Sequence, residues 1–413
     1  MKEMLLAIVS RFPRPDFESG YQYPEYSYAV PNEALWDTLD VLMLLLLLGI
    51  VTWALYKKHT RGPVFWTSIV SVAYFGFFRG GCVCSIGSIQ NVAYAFVEDS
   101  YRLPIVVFLF FIIPIVSAYL FGRVFCAGVC PFGALQDLVN VKNYRLSRAV
   151  SGALSIIPWI YLVFALLYAL TRTRFIICQF DPFIGIFRQG GDWGLIIFGA
   201  ILLIMSVFTG RPFCRFLCPY GALLSIFSSV SIWKIKITKK PCISCELCHN
   251  SCPVDSIRAP YNKKVEESHS EGVKRILGYF VILPLLMVAG AVLMRLGSEN
   301  LSQAHREVRL YHMVIAHEAD PDGELTPELE AFYSQGRTIE ELTASYQKVQ
   351  DDFTVYSTIA GVLIGLVIGL KLINLSLKRT RKEYEIVYSN CIACGKCFDY
   401  CPQNRKLNME YNS

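Results

Sequence analysis

Seven stretches of this 413-residue chain are apolar over lengths close to or beyond what a bilayer's hydrocarbon core requires, and they leave few options for its fold. They lie near residues 35–55, 63–78, 104–121, 149–170, 193–209, 276–294 and 355–375. In hydrocarbon a backbone must pair its own polar groups, so such runs predict transmembrane helices. Composition agrees, with 54% hydrophobic and 17% charged residues. The second, third and fifth runs are short for simple spans. Gly- and Cys-bearing segments follow them, which fits half-helices or re-entrant turns, or a locally thinned bilayer. The expected fold class is an all-α polytopic membrane protein of about seven transmembrane helices. A soluble enzyme, a disordered chain and a nucleic-acid binder are excluded.

Lys and Arg concentrate in cytoplasmic loops and set the orientation. Lys57, Lys58 and Arg61 follow the first run, Arg123, Lys142, Arg145 and Arg148 the third, and Lys378, Arg379, Arg381 and Lys382 the seventh. Residues 298–353 carry 12 acidic and 4 basic residues, a net charge of −8, and read as an outer loop. Asp16, Glu18, Glu25, Glu33 and Asp37 place the amino terminus outside as well. The apolar residues 5–9 are too few for a signal peptide. The expectation is an N-out, C-in chain in a bacterial cytoplasmic (inner) membrane. It divides into an amino-terminal periplasmic segment (1–34), a membrane core (35–230), a first motif-bearing half (231–274), a transmembrane hairpin (275–376) enclosing the loop 297–353, and a second half (377–413).

Eight of the 15 cysteines form two copies of C-x2-C-x2-C-x3-C-P, at Cys242, Cys245, Cys248, Cys252 and at Cys391, Cys394, Cys397, Cys401. This spacing binds [4Fe–4S] clusters, and in two-cluster ferredoxins the fourth Cys ligates the other cluster. The expected sets are Cys242, Cys245, Cys248 with Cys401, and Cys391, Cys394, Cys397 with Cys252. Structural zinc prefers paired C-x2-C knuckles with longer spacers. Both motifs fall on the cytoplasmic side of the topology, so they can assemble one ferredoxin-like α+β domain split by the hairpin; two independent one-cluster modules are the alternative.

Four more cysteines lie in an internal repeat, F-C-x3-C-P-[FY]-G-A-L, at Cys126/Cys130 and Cys214/Cys218, each preceded by Gly-Arg. Repeat symmetry would bring four thiolates to the inner face, where they could hold a further iron–sulfur cluster, or else remain packing thiols or redox disulfides. The last three map outside. Cys84 opens a segment ending in Gln90 that echoes Cys130 to Gln136, and Asp181 precedes Pro182 as Cys130 precedes Pro131. Cys82, Cys84, Cys178 and Asp181 are therefore a candidate outer site, with an outer disulfide as the competing assignment.

The paired C-x3-C-P motifs at membrane exits, followed by ferredoxin-type motifs, resemble the NapH/NosR family of membrane iron–sulfur electron-transfer proteins, from the second run to the carboxyl terminus. The resemblance implies quinol-linked electron delivery to periplasmic reductases or a part in their maturation. NosR-type members add a periplasmic flavin domain, for which no segment before the first run is large enough, and the hairpin between the ferredoxin motifs departs from a compact tandem tail.

The function expected is passage of single electrons between the cytoplasmic side, or the quinone pool, and a periplasmic cytochrome, flavoprotein or reductase, within a respiratory oxidoreductase. A maturation factor or redox sensor is the rival. Lys234, Lys236, Lys239 and Lys240 could dock an acidic cytoplasmic ferredoxin or flavodoxin, and the outer loop's charge a basic partner. No pattern locates a quinone pocket. His305, His312 and His317 lie in an expected helix over 302–319 and read as solvated surface histidines. Tyr21, Tyr23, Tyr26, Tyr28 and Trp36 read as interface anchors.

Overall fold

The computed structural model describes residues 34–81, 84–237, 242–261, 269–320, 325–376, 381 and 383–404. Outside them lie residues 1–33, with their tyrosines and acidic residues, and Cys82, Lys239, Lys240, Lys378, Arg379 and Lys382.

All seven apolar runs are helical. Helix α1 (Ala34–Tyr56) packs on α2 (Gly62–Ser71), which continues as a π-helical turn (Val72–Phe78). After a break come α3 (Ser85–Ala95) and α4 (Ile105–Phe121), then two short helices, α5 (Val124–Gly128) and α6 (Pro131–Leu138). The next group repeats the plan. Helices α7 (Arg148–Leu154), α8 (Ile157–Leu170), α9 (Ile176–Gln179), α10 (Ile184–Arg188) and α11 (Trp193–Phe208) lead into the short α12 (Pro212–Phe216) and α13 (Pro219–Ser229). Among the described residues four helices are long and apolar enough to cross a membrane, Leu35–Tyr56, Ala149–Leu170, Ser270–Leu296 and Ile339–Ser376, while Gly62–Phe78, Ile105–Phe121 and Trp193–Phe208 are apolar but shorter. Each of the three shorter ones is followed by a turn and a further helix that begins after or contains a cysteine, Cys84, Cys126 or Cys214.

The two halves carrying the C-x2-C-x2-C-x3-C-P motifs meet in space. Helix α14 (Leu247–Ser251) and strand β1 (Ile257–Arg258) lie in the first, β2 (Glu385–Ile386) and α20 (Lys396–Asp399) in the second. The strands are antiparallel, with Ile257 opposite Ile386 and Arg258 opposite Glu385, and α14 packs on α20. Between the halves in sequence stand α15 (His269–Leu296) and α19 (Ile339–Ser376), joined through α16 (Ser298–Ser302), α17 (Arg306–Ala319) and α18 (Pro327–Ser334). Val314, Leu329, Phe332 and Leu342 give this connecting portion its own small core.

Helices α15 and α19 touch at glycines. A Cβ on Gly290 would meet the Gly361 carbonyl, one on Gly361 the Gly290 carbonyl, and one on Gly365 the Leu286 carbonyl. Backbone approach of this kind is how helices associate where lipid removes the hydrophobic drive. The Gly361-x3-Gly365-x3-Gly369 spacing was available in the sequence as a signal. Replacing Gly365 by Leu is expected to weaken the hairpin by about 1–3 kcal/mol, the ordinary cost of overpacking, and to separate β1 from β2. Cross-linking of cysteines placed at residues 258 and 385 would report the separation.

His305 is not a solvated surface histidine. It is the half-buried N-cap of α17, where Nδ1 accepts the Glu307 N–H at 3.2 Å. Burial lowers its pKa, against Glu307 and Asp352, which raise it, so the neutral acceptor form is favoured. The unfolded chain then binds the extra proton more readily, and stability falls as pH drops below the ordinary histidine value of about 6.5. His305→Asn keeps a cap and cannot titrate. Thermal melts between about pH 5 and 7 should lose this acid sensitivity, whereas His305→Ala should cost about 1 kcal/mol near pH 7 and less toward pH 5, where the wild-type cap is itself protonated.

Candidate metal centres

The two C-x2-C-x2-C loops share a backbone path. Positive φ occurs at Ser244 and Ala393, second after the first Cys, and at Glu246 and Gly395, first after the second Cys. Left-handed residues turn the chain so that successive thiols face one centre, and three of these four lack the glycine that makes the conformation cheap. The cysteine that ends each motif lies within electrostatic reach of the other motif's loop. Cys248 lies within electrostatic reach of Cys242, Cys245 and Cys401. Cys397 lies within reach of Cys391, Cys394 and Cys252, and also of Cys248, so the two groups adjoin. Cys252, Cys391, Cys394 and Cys397 line one cavity. The Cys252 thiol accepts the Ser256 N–H at 3.3 Å. Burial pushes the Cys391 thiol up to about 12, so a metal that takes its thiolate must displace a proton.

The C-x3-C-P repeats also converge. Cys130 and Cys218 cap the short helices α6 and α13, and Cys126 and Cys214 sit in α5 and α12. Cys130 lies within reach of Cys126, Cys214 and Cys218. The Gly-Arg preceding each repeat locks it to the other. Arg123 of the first repeat donates Nη2 to the Gly221 carbonyl at 2.6 Å, and Arg211 of the second donates to the carbonyls of Cys126 and, at 2.9 Å, Ala127. Both guanidiniums are buried. The sequence displayed these arginines at equivalent repeat positions, yet only Arg123 was given a meaning there, as an orientation signal.

Arg211 further pairs with Asp137 at 3.3 Å, and the same carboxylate takes Arg61 at 2.6 Å and Lys396 at 3.1 Å. Burial would raise the Asp137 carboxyl; the three cations reverse this and hold it below the ordinary carboxylate range. Arg211 pairs with the carboxylate that also takes Lys396 of the second ferredoxin loop and donates to the Cys126 carbonyl, so it joins the repeats to that loop.

Among the described residues no three His, Cys, Asp or Glu side chains converge tightly enough to hold one metal ion. A cluster carries its irons at separate corners, so its thiolates need not converge on a point. Donor sets of four cysteines without histidine, wrapped by N–H groups, are the chemistry of an iron–sulfur cluster. Of the outer candidates, Cys82 is outside the described residues, while Cys84 lies within reach of both Cys178 and Asp181. No disulfide joins Cys84 to Cys178.

Sequence comparison agrees with this chemistry. Residues 103–149 and 192–238, which contain the two C-x3-C-P repeats, each match a model described as a 4Fe-4S binding domain, and residues 384–404 match a second model of that description. "Regulatory protein NosR" of Stutzerimonas stutzeri is 27% identical over 61% of this chain and 41% of its own length. "Putative electron transport protein YccM" of Escherichia coli is 30% identical over 44% of this chain and 55% of its own. "Ferredoxin-type protein NapH" of Haemophilus influenzae is 24% identical over 38% and 57%. The chain thus spans roughly half the length of these relatives. No solved structure matches it.

Removing Arg211 would leave Asp137 short of a partner inside the protein and two repeat carbonyls without a donor. Arg211→Met is expected to cost about 3–5 kcal/mol, the usual penalty for breaking a buried pair from one side. Denaturant or thermal unfolding of the detergent-solubilised protein measures it.

Proposed function

We propose that this chain, a NosR/NapH-like 4Fe–4S protein, carries single electrons across the bacterial cytoplasmic membrane, between the cytoplasmic side or the quinone pool and a periplasmic redox partner. Seven helices cross in an N-out, C-in sense, and the motif-bearing halves form one split, cytoplasmic ferredoxin-like domain. Cys242, Cys245, Cys248 and Cys401 hold one [4Fe–4S] cluster, and Cys391, Cys394, Cys397 and Cys252 a second. Cys126, Cys130, Cys214 and Cys218 hold a third iron–sulfur cluster in the core.

The observation that carries this reading is serial order. Cys397 lies within electrostatic reach of Cys248, Arg211 within reach of Cys394 and of Cys126 and Cys214, and the core thiols are set among apolar helices. When bound, clusters in these sets supply one-electron redox chemistry at a thiolate-held iron. The chain's own residues hold them in place. Arg123 and Arg211 fix the two repeats against each other and offset thiolate charge, the Asp137 ion group holds the second ferredoxin loop against the core, and the aliphatic and aromatic walls exclude water. Such exclusion and charge balance tune a cluster's potential.

A mainly apolar cavity lined by Tyr161, Phe164, Tyr168, Phe180, Phe198 and Phe213 suits a quinone ring. The acidic outer loop suits a basic cytochrome, flavoprotein or reductase. The inner face, with Lys234 and Lys236, suits an acidic ferredoxin or flavodoxin. The name of the relative NosR, a regulatory protein, favours a second reading as a redox sensor or maturation factor for a respiratory metalloenzyme.

Proteoliposomes separate these. With dithionite-reduced methyl viologen trapped inside and oxidised cytochrome c outside, the loaded protein is expected to reduce the external cytochrome c through many turnovers. Cys394→Ser should abolish at least nine tenths of that rate. Fully loaded protein that passes no electrons across the vesicle wall would overturn the conduit and leave the sensor or maturation reading.

A further inference from the structure

Four turns in the membrane core are built to one plan. Cys130, Cys218 and Cys84 each stand extended just before a helix, with φ/ψ of −73°/118°, −68°/111° and −118°/117°. Three residues on, each turn has a glycine, Gly133, Gly221 or Gly87. Asp181 supplies the fourth turn. It is followed by Pro182 as Cys130 and Cys218 are followed by Pro131 and Pro219, and its carboxylate accepts the Phe183 N–H at 2.9 Å much as the Cys218 thiol accepts the Gly221 N–H at 3.2 Å.

The outer cysteines are related to each other as the inner ones are. A Cβ on Gly133 would lie 3.5 Å from the Cys214 sulfur, and a Cβ on Gly87 would lie 3.0 Å from the Cys178 sulfur. Gln136, six residues after Cys130, accepts the N–H of Phe213, the residue before Cys214, at 3.0 Å. Gln90, six residues after Cys84, accepts the N–H of Ile177, the residue before Cys178, at 2.8 Å. Both glutamines are fully buried. A buried amide committed to one backbone N–H fixes the adjoining cysteine's position, so Cys84 and Cys178 are held by the same device as Cys130 and Cys214. Asp181 is buried beside them and completes a set of two thiolates and a carboxylate.

Two tyrosines stand between the inner and outer groups. Tyr220 lies within reach of Cys126, Cys130 and Cys218 and also of Cys84, and Tyr161 within reach of Cys218 and also of Cys178 and Asp181. A narrow cavity lined by Phe75, Phe110, Phe125 and Phe132 runs between Cys84 and Cys130.

We propose that Cys84, Cys178 and Asp181 ligate a further iron–sulfur cluster, an outer counterpart of the one assigned to the four inner thiols. It rests on the conduit reading given above and extends it. Soft thiolates select iron–sulfur chemistry, and the harder carboxylate oxygen leaves one corner with an exchangeable ligand. Cys178 is exposed, so the outer set has an edge that a redox partner can approach. The set needs no contribution from Cys82.

The test uses full-length protein purified anaerobically in detergent, with iron and acid-labile sulfide counted per chain and EPR spectra taken through a reductive titration. Cys178→Ser is expected to remove about two to four irons with matching sulfide, while the interacting [4Fe–4S] signals of the ferredoxin loops persist and certify folding. Asp181→Cys should keep the iron and shift one set of g-values. In the wild type, Cys84 and Cys178 should resist alkylation until ferricyanide oxidation and chelation strip the clusters. Unchanged iron in Cys178→Ser, loss of iron without sulfide, an unshifted Asp181→Cys spectrum, or immediate alkylation of both wild-type thiols would overturn the proposal. Absence of the ferredoxin signals from the wild type would instead overturn the conduit reading on which it stands.

Discussion

Asp137 carries more of this architecture than any other side chain. Its carboxylate is buried where an isolated charge would be costly, and it is kept there by three cations that come from distant parts of the chain. Arg61 brings the start of α2, Arg211 the second C-x3-C-P repeat, and Lys396 the helix of the last ferredoxin loop. None of the four could be buried alone. The depressed carboxyl pKa means the group is fully ionised above the ordinary carboxylate range and would be lost only as pH falls toward its lowered value, so across neutral and mildly acidic pH the junction is constant. Arg211 extends the junction by donating to the carbonyls of Cys126 and Ala127, which turns an ion pair into a clamp between repeats.

Much of this was legible in the sequence, and the reasons differ by feature. The helices were readable because hydrocarbon forces long apolar runs to satisfy their own backbones. The meeting of the two C-x2-C-x2-C-x3-C-P segments was readable because cluster ligation, where it occurs, fixes cysteine spacing and demands that such segments come together. The convergence of the two C-x3-C-P repeats was readable from repetition alone.

What stayed hidden depends on which side chain meets which across the fold. Asp137 is an unremarkable acid on a short helix until three cations surround it. Gln90 and Gln136 resemble ordinary polar residues until each is seen holding the residue before a cysteine. Ser244, Glu246 and Ala393 give no hint of left-handed backbone, because the constraint comes from the loop and not from their own preference. His305 reads as solvated because no C-x-x-C-H motif or carboxylate triad accompanies it, and its capping bond to the Glu307 N–H shows only in the fold.

The pairing of β1 with β2 has a temporal meaning. Ile257 and Ile386 are neighbours in space yet are separated in sequence by the whole of α15 to α19, so the two motif-bearing halves cannot close until that intervening hairpin has been synthesised and packed. During synthesis Cys242, Cys245 and Cys248 emerge long before Cys401, and Cys252 long before Cys391. An incomplete thiol set is what the nascent chain offers to the assembly machinery. Closure of the little two-stranded sheet therefore waits on the α15–α19 hairpin, and a chain ending between the halves would present Cys242, Cys245 and Cys248 without Cys401.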